Sequence, residues 1–262
     1  MAVVTATDVG GLLAAVRDRA PLVQCITNSV VTGFTANTLL ALGAAPAMVD
    51  NLEEATVFAG VADAVLINVG TLTPALGETM VATAHAAGAA GTPWVLDPVA
   101  VGGLPLRDRV AAELVPLRPT VIRGNASEII SLSGADGGGR GVDSTVATEQ
   151  AVDAARSLCD RTGGAVAVSG PTDHIVSTDG VLRLSNGDPM MTRVTGVGCA
   201  LGAITAAFAA CAPPAEAAFA ATAVWTIAAE VATEKSAGPG TFAVELLDAL
   251  YDLGPAQLER LR

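Results

Sequence analysis

A glycine-rich turn that runs directly into an apolar helix is the part of this sequence best suited to chemistry. It reads Thr195-Gly196-Val197-Gly198-Cys199 and leads into the helical stretch Ala200–Ala212. Two glycines at a helix start let successive backbone N–H groups converge, and the helix N-terminus adds roughly half a unit of positive charge. Such a cradle suits the oxyanions of a transferring phosphoryl group. A tight turn into a buried helix with an inert cysteine explains the motif alone equally well.

Cys199 is the candidate catalytic residue of this turn. It falls in the first turn of the predicted helix. Because a helix N-terminus favours a thiolate, we expect a lowered pKa for the Cys199 thiol and a sulfur that can act as a base or nucleophile. The alternative is a structural cysteine that only fills space in the core.

A second segment with chemical potential is Arg123-Gly124-Asn125-Ala126-Ser127-Glu128. It follows a predicted strand and therefore lies at a carboxyl end of the sheet, where ligands bind in open α/β folds. Arg123 can clamp a phosphate, and Glu128 can hold Mg²⁺ directly or through water. A helix start at which Asn125 caps and Glu128 complements the dipole explains the same residues, and is favoured for this segment taken alone.

Three further side chains follow predicted strands. Asp97 comes after Trp94–Leu96 and faces the same rim as Glu128 if the two strands are neighbours, as a metal ligand or as part of a turn. Asn28 can hydrogen-bond a small polar substrate, although capping the next helix is its default role. Met48 is expected to end a short apolar strand and to fill the core.

The elements that must position these residues are strand-sized apolar runs alternating with helix-sized segments. Several runs are continuously apolar, which suits parallel strands covered on both faces. The predicted strands are Leu22–Ile26, Ala47–Val49, Ala64–Val69, Trp94–Leu96, Thr120–Ile122 and Ala165–Val168, with a hairpin of His174–Ser177 and Val181–Leu184. The predicted helices are Val31–Leu42, Pro74–Ala90 and Ser144–Arg161, followed by an alanine-rich helical remainder. No linker divides the chain, so residues 1–262 are expected to form a single domain, with Gly137–Gly141 as a mobile loop.

Composition narrows the function classes. The 262 residues carry 26 acidic and 14 basic side chains, a formal charge of −12 that argues against nucleic acid as a partner. Four cysteines without a CxxC pair and only two histidines make a zinc site improbable. The uncharged segment Val194–Ala212 is long enough to be a membrane candidate, but its Ala, Gly and Thr content favours a helix buried in protein. No signal peptide is evident, and a cytoplasmic protein without a membrane partner is expected.

Taken together, six motifs resemble the hydroxyethylthiazole kinases of the ribokinase-like superfamily over about residues 20–235. They are QCITNSV at Gln24–Val30, AMV at Ala47–Val49, DPVAVG at Asp97–Gly102, RGNASEI at Arg123–Ile129, GVDS at Gly141–Ser144 and GVGC at Gly196–Cys199. The co-occurrence is specific, because other kinases of the superfamily usually have Asp where the thiazole kinases have Cys.

The resemblance implies an α/β fold, a three-layer αβα sandwich with a mostly parallel central sheet. It also implies ATP-dependent phosphorylation of 4-methyl-5-(2-hydroxyethyl)thiazole with Mg²⁺, in thiamine salvage, by a homotrimer with sites between subunits. Its motifs assign Cys199 as the catalytic residue, Met48, Gly196 and Asn28 to the thiazole, Arg123, Ser169, Asn125 and Gly198 to ATP, and Glu128 and Asp97 to the metal.

Two departures from the family pattern bear on the site. Val197 replaces the usual Thr of Gly-Thr-Gly-Cys, which removes a hydroxyl but keeps the backbone N–H groups, and Ser169 stands where Thr is common. Two alternatives stay open: a kinase of another small alcohol such as hydroxymethylpyrimidine, which Cys199 disfavours, and a nucleotide-binding regulatory protein without catalysis.

Overall fold

A computed structural model describes residues 4–134 and 144–262 of the chain. The predicted loop Gly137–Gly141, and with it most of the GVDS motif, lies outside these residues. The strands form a single eight-stranded sheet in the order β2-β1-β3-β4-β5-β6-β7-β8. They are β1 Leu22–Ile26, β2 Ala45–Ala47, β3 Ala64–Asn68, β4 Trp94–Asp97, β5 Val121–Asn125, β6 Ala165–Ser169, β7 Asp173–Ser177 and β8 Gly180–Leu184.

Helices cover both faces of this sheet and give it the predicted three layers. They are α1 Ala6–Arg19, α2 Thr32–Leu42, α3 Leu52–Phe58, α4 Pro74–Ala90, α5 Pro105–Leu114, α6 Ala126–Ser133, α7 Ser144–Thr162, α8 Val197–Ala209, α9 Pro214–Lys235, α10 Pro239–Tyr251 and α11 Pro255–Leu258, with 3₁₀ turns at Val115–Leu117 and Pro189–Arg193. One hydrophobic core lies between the sheet and α1, α2, α8, α9 and α10. A second core lies between the opposite face and α3 to α7.

Strand direction places the carboxyl ends of six strands at one edge of the sheet. Strands β1 to β6 pair in parallel, and β7 and β8 are added as an antiparallel hairpin. Strands β1, β3, β4 and β6 are almost entirely buried, which is why their sequences are largely apolar. The mostly parallel sheet and the hairpin are therefore confirmed, and β1 and α4 have the predicted bounds.

The predicted bounds of the strand Ala47–Val49 are wrong. The strand spans Ala45–Ala47, pairing Leu22 with Ala45 and Gln24 with Ala47. After Ala47 the chain leaves the sheet, and the Gln24 Nε2 group donates a hydrogen bond of 3.0 Å to the Val49 carbonyl. Met48 therefore lies in the loop after the edge strand instead of ending it.

Within residues 4–134 and 144–262, one helix, α9, is long and apolar enough to span a membrane by length and composition alone. Most of α9 is buried, including Phe219 and Trp225, as in the core helix of a globular protein. The uncharged stretch Val194–Ala212 contains the 13-residue α8, whose residues from Ala200 to Ala209 are buried. Both apolar helices thus serve the core on one face of the sheet.

Candidate active site

The carboxyl ends of β3, β4, β5 and β6 form a polar rim at the edge of the sheet where the start of α8 also lies. In the sheet register Asn68 is beside Asp97, and Asn125 is beside Ser169. The rim is polar because the strands end here, whereas their apolar centres pack against helices. The structure thus brings together the sequence-predicted residues of β4, β5, β6 and α8.

Asp97 is the most deeply buried carboxyl group of this rim, with none of its surface exposed. Its Oδ2 accepts a hydrogen bond of 2.7 Å from Asn68 Nδ2 and lies 4.0 Å from Arg123 Nη1. Burial raises the pKa of the Asp97 carboxyl to about 7, with Arg123 opposing the rise and Glu128 adding to it. The predicted neighbourhood of Asp97 and Glu128 is confirmed, because β4 and β5 are adjacent.

Arg123 connects this carboxyl to a large cavity. Its Nη2 donates a hydrogen bond of 2.9 Å to Ser169 Oγ, and its side chain is mostly buried. A Cβ added at Gly198 would lie 3.3 Å from Arg123 Nη1, so the start of α8 approaches the guanidinium closely. Arg123, Ser169 and Gly198 all line a cavity of about 660 Å³ between the sheet, α8 and α9. A guanidinium beside backbone N–H groups is a suitable site for phosphate.

The two carboxylate oxygens of Glu128 accept hydrogen bonds from separate loops. Oε1 accepts from Ala100 N and Oε2 from Asn125 N, each at 2.9 Å. Asn125 Oδ1 in turn accepts from Glu128 N at 2.9 Å, which completes a capping box at the start of α6. The helix-start interpretation of this segment is therefore confirmed, and the same contacts hold the Glu128 carboxylate near Asp97.

The residues of the rim fit a magnesium ion. Asp97 Oδ1 is buried without a hydrogen-bond partner, an arrangement that a cation would satisfy. The described residues contain no group of three or more His, Cys, Asp or Glu side chains able to hold a metal. Mg²⁺ commonly uses only one or two carboxylates and completes its shell with water and substrate phosphates. Asp97 and Glu128 meet that requirement.

Cys199 occupies the third residue of α8 and is half-buried at the rim. Burial raises the pKa of its thiol, the nearby Asp97 raises it further, and hydrogen bonds with Asn68 and Asn28 together with the Arg123 charge oppose the rise. The expectation of a lowered pKa is therefore wrong. Desolvation and a neighbouring carboxylate outweigh the helix N-terminus and the positive charge of Arg123.

The turn before α8 requires glycine at one position. Gly196 has a φ of 96°, in the left-handed region, and an added Cβ would lie 2.7 Å from Val31 Cγ1 and 3.4 Å from Phe34 Cδ1. The chain therefore passes tightly against the start of α2 before entering α8. This contact brings Gly196 close to the loop that carries Asn28.

Asn28 and Met48 lie on the β1 and β2 side of the rim. Asn28 does not cap α2, whose first turn has no side-chain cap; its Oδ1 accepts a hydrogen bond of 3.0 Å from Val30 N. An added Cβ at Gly70 would lie 2.9 Å from Asn28 Nδ2, so this loop packs closely against the end of β3. Met48 is half-buried against the core that contains α8. Both side chains are thus available to a ligand that approaches from this side.

Two buried polar residues of the site were not identified from the sequence. Asn68 is fully buried, accepts a hydrogen bond of 2.9 Å from Gly70 N, and contacts both Asp97 and Cys199. Asp173 lines the cavity near Arg123, and burial raises the pKa of its carboxyl to about 6. A polar side chain at the end of an otherwise apolar strand is the only signal that could have identified Asn68.

The sheet and the helices on both of its faces have the ribokinase-like fold. Residues across the chain superpose on a ribokinase-like superfamily protein from Enterococcus faecalis with a TM-score of 0.61 at 14% identity, covering 93% of this chain and 89% of that one. At that identity the similarity shows the fold alone. The hydroxyethylthiazole kinase structure from Pyrococcus horikoshii OT3 superposes with a TM-score of 0.90 at 36% identity, covering 98% of both chains.

The sequence model of the hydroxyethylthiazole kinase family matches residues 13–256. A hydroxyethylthiazole kinase from Clavibacter sepedonicus is 58% identical over 254 residues, which cover 95% of this chain and 92% of that protein. The chain belongs to the hydroxyethylthiazole kinase family and is a phosphotransferase. The resemblance identified from the six motifs is confirmed.

Proposed function

We propose that this protein transfers the γ-phosphoryl group of ATP to the hydroxyl of 4-methyl-5-(2-hydroxyethyl)thiazole, as a step of thiamine salvage. The observation that carries the proposal is the meeting of Asp97, Arg123 and Cys199 at the start of α8, beside a cavity large enough for a nucleotide. Family membership supports the thiazole as the acceptor.

On this proposal the cavity lined by Arg123, Ser169 and Gly198 binds ATP. The Arg123 guanidinium and the N–H groups at the start of α8 hold the transferring phosphoryl group and its developing charge. The thiazole lies on the opposite side, against Met48, Asn28 and Gly196. The two substrates then meet at Cys199, which lies between these two sets of residues.

Cys199 orients the substrate hydroxyl and accepts its proton late in the transfer. Burial raises the pKa of the Cys199 thiol, so only the fraction of molecules that carry the thiolate can accept the hydroxyl proton, and this step returns Cys199 to the thiol. The side chains of Asn68 and Asn28 lower that pKa and so increase the thiolate fraction. Phosphoryl transfer passes through a loose transition state, in which little proton transfer is needed early.

Asp97 and Glu128 would hold Mg²⁺, which supplies charge neutralisation between the phosphates when it is bound. We predict that Glu128→Gln shifts the activity curve to a higher Mg²⁺ requirement. Since this change also weakens the capping box of α6, Ser127→Ala is a matched control that removes only the Ser127–Asn125 hydrogen bond of 2.7 Å. An unchanged Mg²⁺ titration for Glu128→Gln would remove Glu128 from the metal site.

We further propose a cytoplasmic homotrimer with the thiazole site between subunits. Among the described residues, five of the eight exposed large hydrophobic side chains fall between residues 30 and 61, around α2, β2 and α3. They are Val30, Leu40, Leu52, Val57 and Val61. This segment also contains Met48, one of the proposed thiazole contacts. Exposed apolar residues next to a substrate loop fit a site that is completed by another copy of the chain.

The direct test is ADP release from purified protein, ATP and Mg²⁺ with a panel of alcohols that includes the thiazole and hydroxymethylpyrimidine. Turnover with the thiazole alone is the expected result. Turnover with hydroxymethylpyrimidine instead would assign a different acceptor. ATP binding without turnover would indicate a regulatory protein.

A further inference from the structure

The cavity at Arg123 extends toward α9, and most of its lining surface is apolar. The part of this lining that lies away from Arg123 is called the far wall. The apolar lining residues are Pro171, Pro189, Met191, Val197, Leu201 and Trp225. If the γ-phosphate lies at Arg123, as the proposed function requires, the nucleoside extends toward this wall. The chemistry of the wall then decides which nucleotides can donate the phosphoryl group.

The side-chain hydrogen-bond donors of the far wall are already engaged within the protein. The Nδ2 group of Asn186 donates to Glu230 Oε1 at 3.2 Å and to a main-chain carbonyl at 2.9 Å. The hydroxyls of Thr192 and Thr226 each donate to a nearby main-chain carbonyl at 2.8 Å. The Ser185 hydroxyl, which also lines the cavity, shares a hydrogen bond of 3.2 Å with Thr172 Oγ1. Arg123 and Ser169 lie at the end of the cavity where the phosphates are proposed to bind.

Several backbone N–H groups in the cavity wall and directly next to it are engaged as well. These belong to Ser185, Gly187, Met190 and Met191. Glu230 Oε1 accepts from Gly187 N at 2.9 Å, Asp188 accepts from the two methionines at 2.8 and 3.1 Å, and the Arg262 carbonyl accepts from Ser185 N at 2.8 Å. These donors therefore point to partners in the protein and are not available to ring nitrogens of a base.

The remaining acceptors of the cavity do not distinguish the bases sharply. The carboxylates of Asp173 and Asp188 line the cavity and each accepts one backbone hydrogen bond through Oδ1. An acceptor can pair with the exocyclic amine of adenine, cytosine or guanine alike. A base read in this way is recognised mainly through apolar contact and size.

We propose that this kinase accepts nucleoside triphosphates as a class as phosphoryl donors and prefers ATP only modestly. The triphosphate is recognised at Arg123 and the start of α8, while the base lies against the apolar wall. A pocket that relies on apolar contact discriminates by about 10- to 200-fold, whereas one that hydrogen-bonds the distinguishing group reaches about 10⁴-fold or more. This inference rests on the proposed function.

The test compares kcat/KM for ATP, GTP and CTP with saturating Mg²⁺ and thiazole. A preference for ATP below about 200-fold over each of the others is expected, and a larger preference overturns the inference. If no nucleotide is turned over with the thiazole, the proposed function fails. In that case dissociation constants for ATP and GTP are measured by calorimetry, and ATP binding more than about 200-fold tighter than GTP overturns the inference.

A pair of adjacent methionines gives a matched test of apolar recognition. Met191 lines the cavity and Met190 does not, although both are partly buried against the same core. Met191→Ala is expected to raise the KM of ATP and GTP by a similar factor of about fourfold or more, the equivalent of one lost methylene contact. Met190→Ala should leave both values near those of the parent. A Met191→Ala effect confined to one nucleotide overturns the inference.

Discussion

The Cys199 thiol is half-buried near the Asp97 carboxylate, and both burial and this carboxylate raise its pKa. The protonation state of Cys199 therefore decides whether it can accept the substrate proton. We predict that Cys199→Ser folds and binds ATP but loses about 10²-fold in kcat, because a serine hydroxyl is a far poorer proton acceptor than a thiolate. Cys199→Asp should keep substantial activity, since a carboxylate can accept the proton in place of the thiolate. Steady-state kinetics of both variants provide the measurement.

Cys211→Ser is the matched control, because Cys211 is also half-buried but lies near Arg19 and Asp63, outside the rim. It should keep parental kinetics. Parental turnover in Cys199→Ser would contradict the proton-acceptor role and leave catalysis to the backbone cradle and Arg123.

Arg123 lines the cavity proposed to bind ATP and is expected to contact its phosphates. Arg123→Ala should raise the KM for ATP by roughly 10- to 150-fold, the range for losing a charge-assisted hydrogen bond of about 1.5–3 kcal/mol, and change the KM for the thiazole much less. Arg118→Ala is the control, since Arg118 donates to the Thr162 carbonyl at the opposite end of β5. Equal effects of Arg123→Ala on both substrates would identify a structural arginine.

The proximity of the candidate site residues could be predicted from sequence better than their electrostatics. Motifs preserve residue type and order, so the sequence indicates Asp97, Arg123 and Cys199 as candidates, and the structure brings these three residues together. The pKa of Cys199 depends on Asn68 and Asp97, which are far from it in the chain. Asn68 itself belongs to no motif, because its partners come from other elements.

The turn between β6 and β7 leads into a buried carboxyl group whose ionisation lowers the free energy of unfolding. Asp173 begins β7, and its Oδ1 accepts a hydrogen bond of 2.9 Å from Gly170 N. Burial raises the pKa of Asp173 from 3.8 to about 6. The folded state therefore binds more protons than the unfolded state between these values, so stability falls as the pH rises through that window.

We predict that Asp173→Asn increases the free energy of unfolding at pH 8 by up to about 3 kcal/mol, because an amide keeps the acceptor for Gly170 without the buried charge. The gain should shrink between pH 6 and pH 4 as the parental carboxyl becomes protonated. Urea unfolding across this range measures it. Asp179→Asn, in the exposed β7–β8 turn, removes the same formal charge and is the control variant. A gain that is independent of pH would contradict the electrostatic origin.

Long buried elements were easier to predict than edges of the sheet. Strand β1 and helix α4 are bounded by turn and capping residues, such as Thr73 before Pro74, and their limits were predicted correctly. Strand β2 has three residues and includes Pro46. The apolar residues Met48 and Val49 follow it directly, so the apolar pattern predicts a strand that ends later than the one in the structure. Helices α1, α3 and α5 were not predicted from the pattern.

At the scale of the whole molecule, apolar side chains remain exposed around α2, β2 and α3. Val57 on α3 is 70% exposed, and exposed apolar side chains that form a contiguous patch mark protein interaction sites. The sequence alone could not locate this surface, because burial depends on how the helices pack on the sheet. The segment of the chain that carries these side chains also contains Met48, one of the proposed thiazole contacts.

The last prediction therefore concerns assembly and activity together. Val57→Lys should convert a trimer into monomers, because a lysine charge cannot be desolvated in an apolar interface without a partner. The isolated chain should still fold, since Val57 contributes little to either core. Light scattering after size-exclusion chromatography measures the mass, and the KM for the thiazole should rise more than that for ATP. Leu104→Lys, on an exposed apolar residue outside this segment, should leave the mass unchanged. A Val57→Lys protein that retains the trimer mass would place the interface elsewhere, and a monomer with parental thiazole kinetics would show that each subunit holds a complete site.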